Sequence, residues 1–97
     1  MPTKRTTADV REWAQGFRLL SDATRLGILT ELTRGPKNVT ALCKALGLKQ
    51  PIVSTHLGIL RMGRLASATR QGKSVFYEAD KAALKELARA VKAMTPK

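Results

Sequence analysis

The sequence contains one cysteine, one histidine and only four aromatic residues among its 97 residues. A single cysteine excludes a disulfide framework within the chain and is typical of a reducing compartment. Lys4 and Arg5 are not followed by the apolar segment of a signal peptide, and no apolar run approaches the length of a membrane span. We therefore expect a cytoplasmic protein of one domain with no membrane partner.

The residues needed for common types of catalysis are also missing. The sequence has no phosphate-binding glycine loop, no second histidine to complete a nucleophile–base–acid set, and no carboxylate pair in its central segment. Cys43 and His56 fall on separately predicted helices, and no pattern brings them together. The sequence accordingly predicts no enzyme and no cofactor.

Acidic residues are absent from a long central interval. Between Glu31 and Glu78 there is no Asp or Glu, whereas residues 32–77 contain eight Lys or Arg, so this interval holds +8 of the net charge of +11. A surface with no acids to offset its bases suits a polyanion such as nucleic acid. The alternative is a basic surface that serves only solubility.

The clearest motif runs from residue 41 to residue 57. Leu42 and Leu46 share one face of a short helix, and Gly47 follows where helices often end in a left-handed residue. Pro51 stands in the first turn of a second helix, where its missing N–H is tolerated. The second helix has an apolar stripe made of Val53, Leu57 and Leu60. Two helices joined by such a turn are typical of a helix-turn-helix, which presents its second helix to the DNA major groove.

Periodicity, capping residues and a basic hairpin complete the prediction. The predicted elements are helices 7–20, 39–46, 51–62 and 81–94, a further helix between Asp22 and Gly35, and strands 65–70 and 74–78. Asn38 and Asp80 are the expected N-caps of two of these helices. The buried face expected for the second helix consists of Leu26, Ile28, Leu29 and Leu32. The order α-α-α-α-β-β-α is mainly α with a small β-hairpin, and it describes one winged helix-turn-helix domain over residues 7–94 after a loose segment, 1–6.

Three motifs resemble the ArsR-type family of bacterial winged-helix repressors. They are L-S-D-A-T-R-L-G-I-L (20–29), L-C-K-A-L-G-L-K-Q-P-I-V-S-T-H-L (42–57) and R-Q-G-K-S-V-F-Y (70–77). The resemblance implies a homodimer built from the first and last helices. It also implies a recognition helix beginning near Gln50 that binds an inverted-repeat operator in double-stranded DNA.

The face of the recognition helix opposite its apolar stripe is polar. Its candidates for base contact are Gln50, Pro51, Ser54 and Thr55, with Gly58 leaving room for a close approach. By resemblance, Gln50, Ser54 and Thr55 occupy the positions of the family's base contacts. The candidates for backbone contact are Lys37, Lys49, Arg61, Arg64, Arg70, Lys73 and Ser74. The alternative for each residue is a solvated polar surface.

Two residues depart from the family's pattern on this helix. Lys49 stands where a Ser or Thr cap is usual, which forfeits about 1 kcal/mol of capping but places a cation beside a phosphate. Thr55 stands where a longer basic or imidazole side chain is common, so the preferred base should differ.

The ligands through which many relatives sense metals are missing. A C-x-C-type pair is replaced by Asn38 and Thr40, and the last helix has no histidine. One Cys and one His do not supply the ligand set of a soft or borderline metal, so we expect no metal site. Cys43 is interpreted as a small hydrophobic residue between the two helices of the motif, with a redox-active thiol as the alternative. His56 is interpreted as a hydrogen-bonded, half-buried residue that fixes the recognition helix, with a base contact as the alternative.

The first and last helices carry the candidates for a subunit interface. These are Trp13, Phe17, Leu84, Leu87 and Val91, for which packing within one chain is the alternative. The sequence as a whole predicts a sequence-specific, homodimeric repressor without metal sensing and without a recognisable effector site. A sequence-tolerant nucleoid-associated protein and a winged-helix protein-interaction module are the alternatives.

Overall fold

The structure, a computed structural model, describes residues 6–95 and has the predicted element order. The helices are α1 (Thr7–Leu20), α2 (Ala23–Leu32), α3 (Val39–Leu46), α4 (Gln50–Met62) and α5 (Lys81–Ala93), and the strands are β1 (Ala66–Gln71) and β2 (Ser74–Ala79). Residues 1–5, which belong to the segment expected to be loose, lie outside the described residues. No helix within residues 6–95 is long and apolar enough to cross a membrane.

Capping side chains begin the helices where the sequence predicts. Asp22, Asn38 and Asp80 each accept a hydrogen bond from the backbone N–H three residues further on, at 2.8–3.0 Å. Thr6 differs from the expectation of a loose segment. Its hydroxyl accepts from the N–H of Asp9 at 3.0 Å, and the Asp9 carboxylate accepts from the N–H of Thr6 at 3.2 Å, which is a capping box.

The core lies where α2, α3 and α4 meet the base of the hairpin and α5. Its buried residues are Ile28, Leu29, Leu32, Leu42, Val53, Leu57, Leu60, Leu65, Ala66, Ala79, Leu87 and Ala90. The prediction for Leu26 was wrong, because its side chain is 49% exposed. Arg25 precedes Leu29 by four residues and Leu32 by seven, so Arg25 rather than Leu26 continues the buried stripe of α2.

α4 ends at Met62, as the sequence predicts, and the residue with a left-handed conformation after it is Arg64. The φ angle is −82° at Gly63 and 62° at Arg64. The N–H of Leu65 donates to the carbonyl oxygen of Leu60 at 2.9 Å, which gives the helix a Schellman-type ending. Gly63 packs beside Leu19 of α1, whose side chain would have to shift to admit a Cβ at this position.

The hairpin is joined to the helical part of the domain by backbone hydrogen bonds. β1 and β2 are antiparallel, with Gln71 opposite Ser74 across a two-residue turn in which Gly72 has a φ of 64°. Lys37, before α3, exchanges two backbone hydrogen bonds with Tyr77 of β2, at 2.8 and 3.1 Å. The β1–β2 hairpin, which is the wing of this fold, is therefore held by the bridge to Lys37 as well as by the hydrogen bonds between its two strands.

Candidate nucleic-acid interface

The polar face of α4 is exposed, as its spacing predicts. Val53, Leu57 and Leu60 are at most 1% exposed and hold one side of the helix against the core. The opposite side presents Gln50, Pro51, Ser54, Thr55, Gly58 and Arg61, all of them exposed. This face offers an amide, two hydroxyls and a residue without a side chain along three turns of one helix. Such groups suit base edges and phosphates in a major groove.

The N-terminus of α4 has no side-chain cap. Lys49 occupies the N-cap position and makes no capping hydrogen bond, and Pro51 lies in the first turn. The helix dipole favours an anion at this end, and the exposed Lys49 adds a cation. The N-terminus of α4 therefore lacks a side-chain cap, as expected, and the helix dipole and the Lys49 cation there suit a phosphate.

The basic side chains of the wing and of the end of α4 are free of ion pairs. Arg61, Arg64, Arg70, Lys73 and Ser74 are all exposed. Among residues 6–95 the only Lys or Arg paired with a carboxylate is Arg89, 3.7 Å from Glu86, and Arg89 lies outside the acid-free interval. The exposed Lys and Arg residues of α4 and of the hairpin thus have no carboxylate of the described residues within ion-pair distance.

Lys37 is engaged within the fold, in contrast to its expected contact with DNA backbone. Its Nζ donates to the carbonyl oxygen of Glu31 at 3.1 Å, near the C-terminus of α2, and the residue is half-buried. A cation at a helix C-terminus satisfies an otherwise free carbonyl and complements the helix dipole. We therefore leave Lys37 out of the proposed DNA contacts.

A polar cluster joins α4 to the junction of α1 and α2. Nη1 of Arg25 lies 3.3 Å from Nδ1 of His56, and its Nε donates to the carbonyl oxygen of Leu19 at 2.8 Å. Oδ2 of Asp22 accepts from the N–H of Arg25 and lies 3.8 Å from Nδ1 of His56. The hydrogen bond from Arg25 N–H holds the pKa of Asp22 below its ordinary 3.8, with His56 contributing a smaller electrostatic effect in the same direction.

This cluster agrees with the interpretation of His56 as a half-buried, hydrogen-bonded residue. The His56 side chain is 22% exposed. Arg25 was not among the functional residues predicted from the sequence. A signal was available, because Arg25 and His56 both fall on the apolar stripes of their helices at positions where a hydrophobic residue would be expected.

Cys43 packs against the hydrophobic core as a half-buried residue, as a small hydrophobe would. Its carbonyl oxygen accepts from the N–H of Gly47, whose φ is 66°, so the turn of the motif is closed as predicted. Among residues 6–95, no group of three or more His, Cys, Asp or Glu is placed to hold a metal ion.

The candidates for a subunit interface differ in how much surface they leave to a partner. Trp13, Phe17 and Leu84 are half-buried against the core, while Leu87 is only 6% exposed and packs against Gly16 of α1. Val91 is 45% exposed. Two exposed apolar residues that were not among the candidates are Val10 on α1 and Met94, 68% exposed, at the end of α5. Val10 lies three residues before Trp13, and Met94 lies three residues after Val91. This helical spacing places each of them on the same face as a predicted interface residue.

Fold and surface together define a winged helix-turn-helix domain, the class of protein whose second motif helix lies in the DNA major groove. The comparisons narrow this class to a family. The model of the bacterial regulatory protein, arsR family, matches residues 22–68. The arsenical resistance operon repressor of Escherichia coli K12 is 45% identical over 64 residues, which are 65% of this chain and 55% of that protein. An ArsR-like transcriptional regulator from Rhodococcus sp. RHA1 superposes with a TM-score of 0.82 at 31% identity, covering 91% of this chain and 83% of that one.

The chain belongs to the ArsR family of bacterial regulatory proteins. The resemblance and the winged helix-turn-helix fold expected from the sequence are both confirmed. A similar solution structure, Mb0332 from Mycobacterium bovis, is described as a homodimeric winged helix-turn-helix DNA-binding domain. Its TM-score is 0.74 at 28% identity, covering 95% of this chain and 87% of that one. The chain spans about half the length of curated relatives such as the arsenical repressor.

Proposed function

We propose that this protein is a homodimeric transcriptional repressor that binds an inverted-repeat operator. The observation that carries the proposal is the exposed polar face of α4, which runs from Gln50 to Arg61. Around this face, no Lys or Arg of the acid-free interval, residues 32–77, is paired with a carboxylate of the described residues. A repressor that is 45% identical to this chain over the matched residues and a solved transcriptional regulator with the same fold support it. Gln50, Pro51, Ser54 and Thr55 read bases, while Lys49, Arg61, Arg64, Arg70, Lys73 and Ser74 contact the backbone.

The proposed dimer joins the α1–α5 faces of two copies. Val10, Val91 and Met94 leave apolar surface exposed on these two helices, and the homodimeric relative has the same architecture. Trp13, Phe17 and Leu84 line this region from the core side. A twofold axis would then place two recognition helices about 34–36 Å apart, one helical turn of DNA.

The proposal does not include metal sensing. Asn38 and Thr40 carry no thiolate, and Cys43 and His56 belong to the core and to a polar cluster. Cys43 remains a candidate for redox control only if oxidant lowers DNA affinity in the wild type and not in Cys43→Ser.

The test is selection of binding sites from random duplexes at physiological salt, about 0.15 M. We expect one enriched sequence with two related half-sites. If scrambled duplexes bind with equal affinity, the sequence-tolerant alternative is correct instead, and if no duplex binds even at low salt, the protein-interaction alternative gains support.

Two variants distinguish base recognition from contact with the phosphate backbone. Gln50→Ala should change the preferred base near one end of each half-site, because an amide can pair bidentately with adenine. Lys73→Ala should weaken binding to all duplexes and reduce the slope of log affinity against log salt by about 0.9 for each phosphate that is no longer neutralised. Identical behaviour of the two variants in fluorescence-anisotropy titrations would contradict this division of roles.

A further inference from the structure

The polar cluster of Asp22, Arg25 and His56 lies behind the recognition helix. Arg25 contacts residues at three helices. Its Nε donates to the carbonyl oxygen of Leu19 in the last turn of α1, and its backbone N–H donates to Asp22, the N-cap of α2. Its Nη1 lies within hydrogen-bond distance of His56 in α4. His56 directly follows Ser54 and Thr55, which form part of the exposed face. The contact between Arg25 and His56 therefore links α4 to both α1 and α2.

One protonation state of the ring permits a hydrogen bond from Arg25. A guanidinium has donors and no acceptor, so a hydrogen bond between Arg25 Nη1 and His56 Nδ1, which lie 3.3 Å apart, requires a lone pair on Nδ1. A ring that accepts this hydrogen bond is neutral and carries its proton on Nε2.

Protonation of Nδ1 would exchange the partners of the ring. It removes the acceptor used by Arg25 and places two cations side by side, while Oδ2 of Asp22, 3.8 Å away, becomes the group able to accept. That oxygen already caps α2 through the N–H of Arg25. The charged groups within hydrogen-bond or ion-pair distance of the ring, among residues 6–95, are Arg25 and Asp22, both on or beside α2, and the Leu19 carbonyl oxygen of α1 is linked to the ring through Arg25.

We propose that Asp22, Arg25 and His56 are positioning residues for DNA recognition, and that α4 reads its operator only while neutral His56 accepts a hydrogen bond from Arg25. This inference rests on the proposed function. Protonation adds positive charge near the interface, so binding to an arbitrary duplex stays constant or strengthens. The expected signature is therefore a loss of discrimination and not a general loss of affinity.

The experiment compares a selected duplex with a scrambled one, using the full chain and fluorescence anisotropy at constant ionic strength. The pH is varied from about 7.5 to about 5.5, a range in which imidazoles change charge. We expect the ratio of the two affinities to fall about tenfold in the wild type, because the ring no longer accepts the hydrogen bond from the charged guanidinium. Thermal melts at both ends of the range, followed by circular dichroism, establish that the protein stays folded.

Two conservative variants test the assignment. His56→Asn places an amide oxygen near the position of Nδ1, accepts from Arg25 and does not titrate, so it should keep the neutral-pH ratio throughout. Arg25→Lys cannot reach Leu19 and His56 together, so its ratio should be low at both pH values.

The inference is overturned if the wild-type ratio changes by less than about twofold, or if His56→Asn loses discrimination in parallel with the wild type. A failure to select any preferred duplex overturns the proposed function together with this inference. A preferred duplex bound equally well at both pH values overturns the inference alone.

Discussion

Gly58 is the position at which fold stability and DNA affinity should respond in opposite directions. It lies in the interior of α4, it is exposed, and a Cβ built there meets no atom within 4 Å. Its φ is not positive, so alanine fits the backbone. Helix propensity favours alanine over glycine by about 1 kcal/mol. Gly58→Ala should therefore raise Tm by about 4–8 °C for a domain of this size.

The added methyl group would stand on the face that the proposed function turns towards DNA. Forcing a methyl group into a closely packed contact typically costs about 1–3 kcal/mol, so operator affinity should fall about tenfold. A Cβ at Gly58 would meet no atom of the protein within 4 Å, so the proposed close approach of DNA is the reason we expect a glycine there.

The measurements are thermal melts at fixed protein concentration and anisotropy titrations at fixed salt. Gly63→Ala serves as the matched control at the end of the same helix, because its Cβ would collide with Leu19 and should lower Tm. The reasoning is refuted if Gly58→Ala raises Tm but leaves operator affinity unchanged, since α4 would then not approach DNA closely at this turn. It is equally refuted if Tm does not rise.

The remaining predictions concern three exposed or half-buried polar positions. Arg64→Gly should stabilise the fold by about 1 kcal/mol in urea titrations, because a left-handed φ of 62° is unfavourable for arginine. The same variant should bind every duplex more weakly, and equal affinity would remove Arg64 from the proposed contacts. Lys49→Ser should add the missing N-cap of α4, about 1 kcal/mol, while flattening the salt dependence of DNA binding; an unchanged salt slope would contradict the phosphate contact. Asp22 has a lowered pKa in the folded state, so its contribution to stability is present above its ordinary pKa of 3.8 and is lost as pH falls through the folded value. Asp22→Asn keeps the capping ability, and its unfolding free energy should fall less than that of the wild type between about pH 7 and about pH 3. Parallel losses in the two proteins would show that Asp22 is not the group responsible.

Local chemistry made the helix boundaries and the exposed face of α4 predictable. A capping side chain acts on an N–H three residues away, so Asn38 or Asp80 can be assigned without knowing the rest of the fold. The stripe of Val53, Leu57 and Leu60 likewise needs only the helical period, and it fixes which residues lie on the opposite face.

The features that the sequence did not reveal depend on how elements cross in space. Leu26 and Arg25 are neighbours, and the approach of α4 decides that the guanidinium takes the inner position. The left-handed conformation of Arg64 was not predictable from local sequence, since arginine rarely adopts a positive φ. Lys37 lies in the acid-free interval, but its ammonium turns inward because a helix end is within its reach.

The pairing of Lys37 with Tyr77 has a consequence for how the wing can change in length. The bridge fixes the base of the hairpin against the segment before α3, and the N–H of Asp80 closes the same end on Leu65 at 2.9 Å. Residues inserted in pairs on either side of Gly72 would extend the antiparallel ladder outward without shifting the register of that base. The hairpin can thus change in length while the core stays the same. Contacts of the wing can therefore evolve without a change in the stability of the domain.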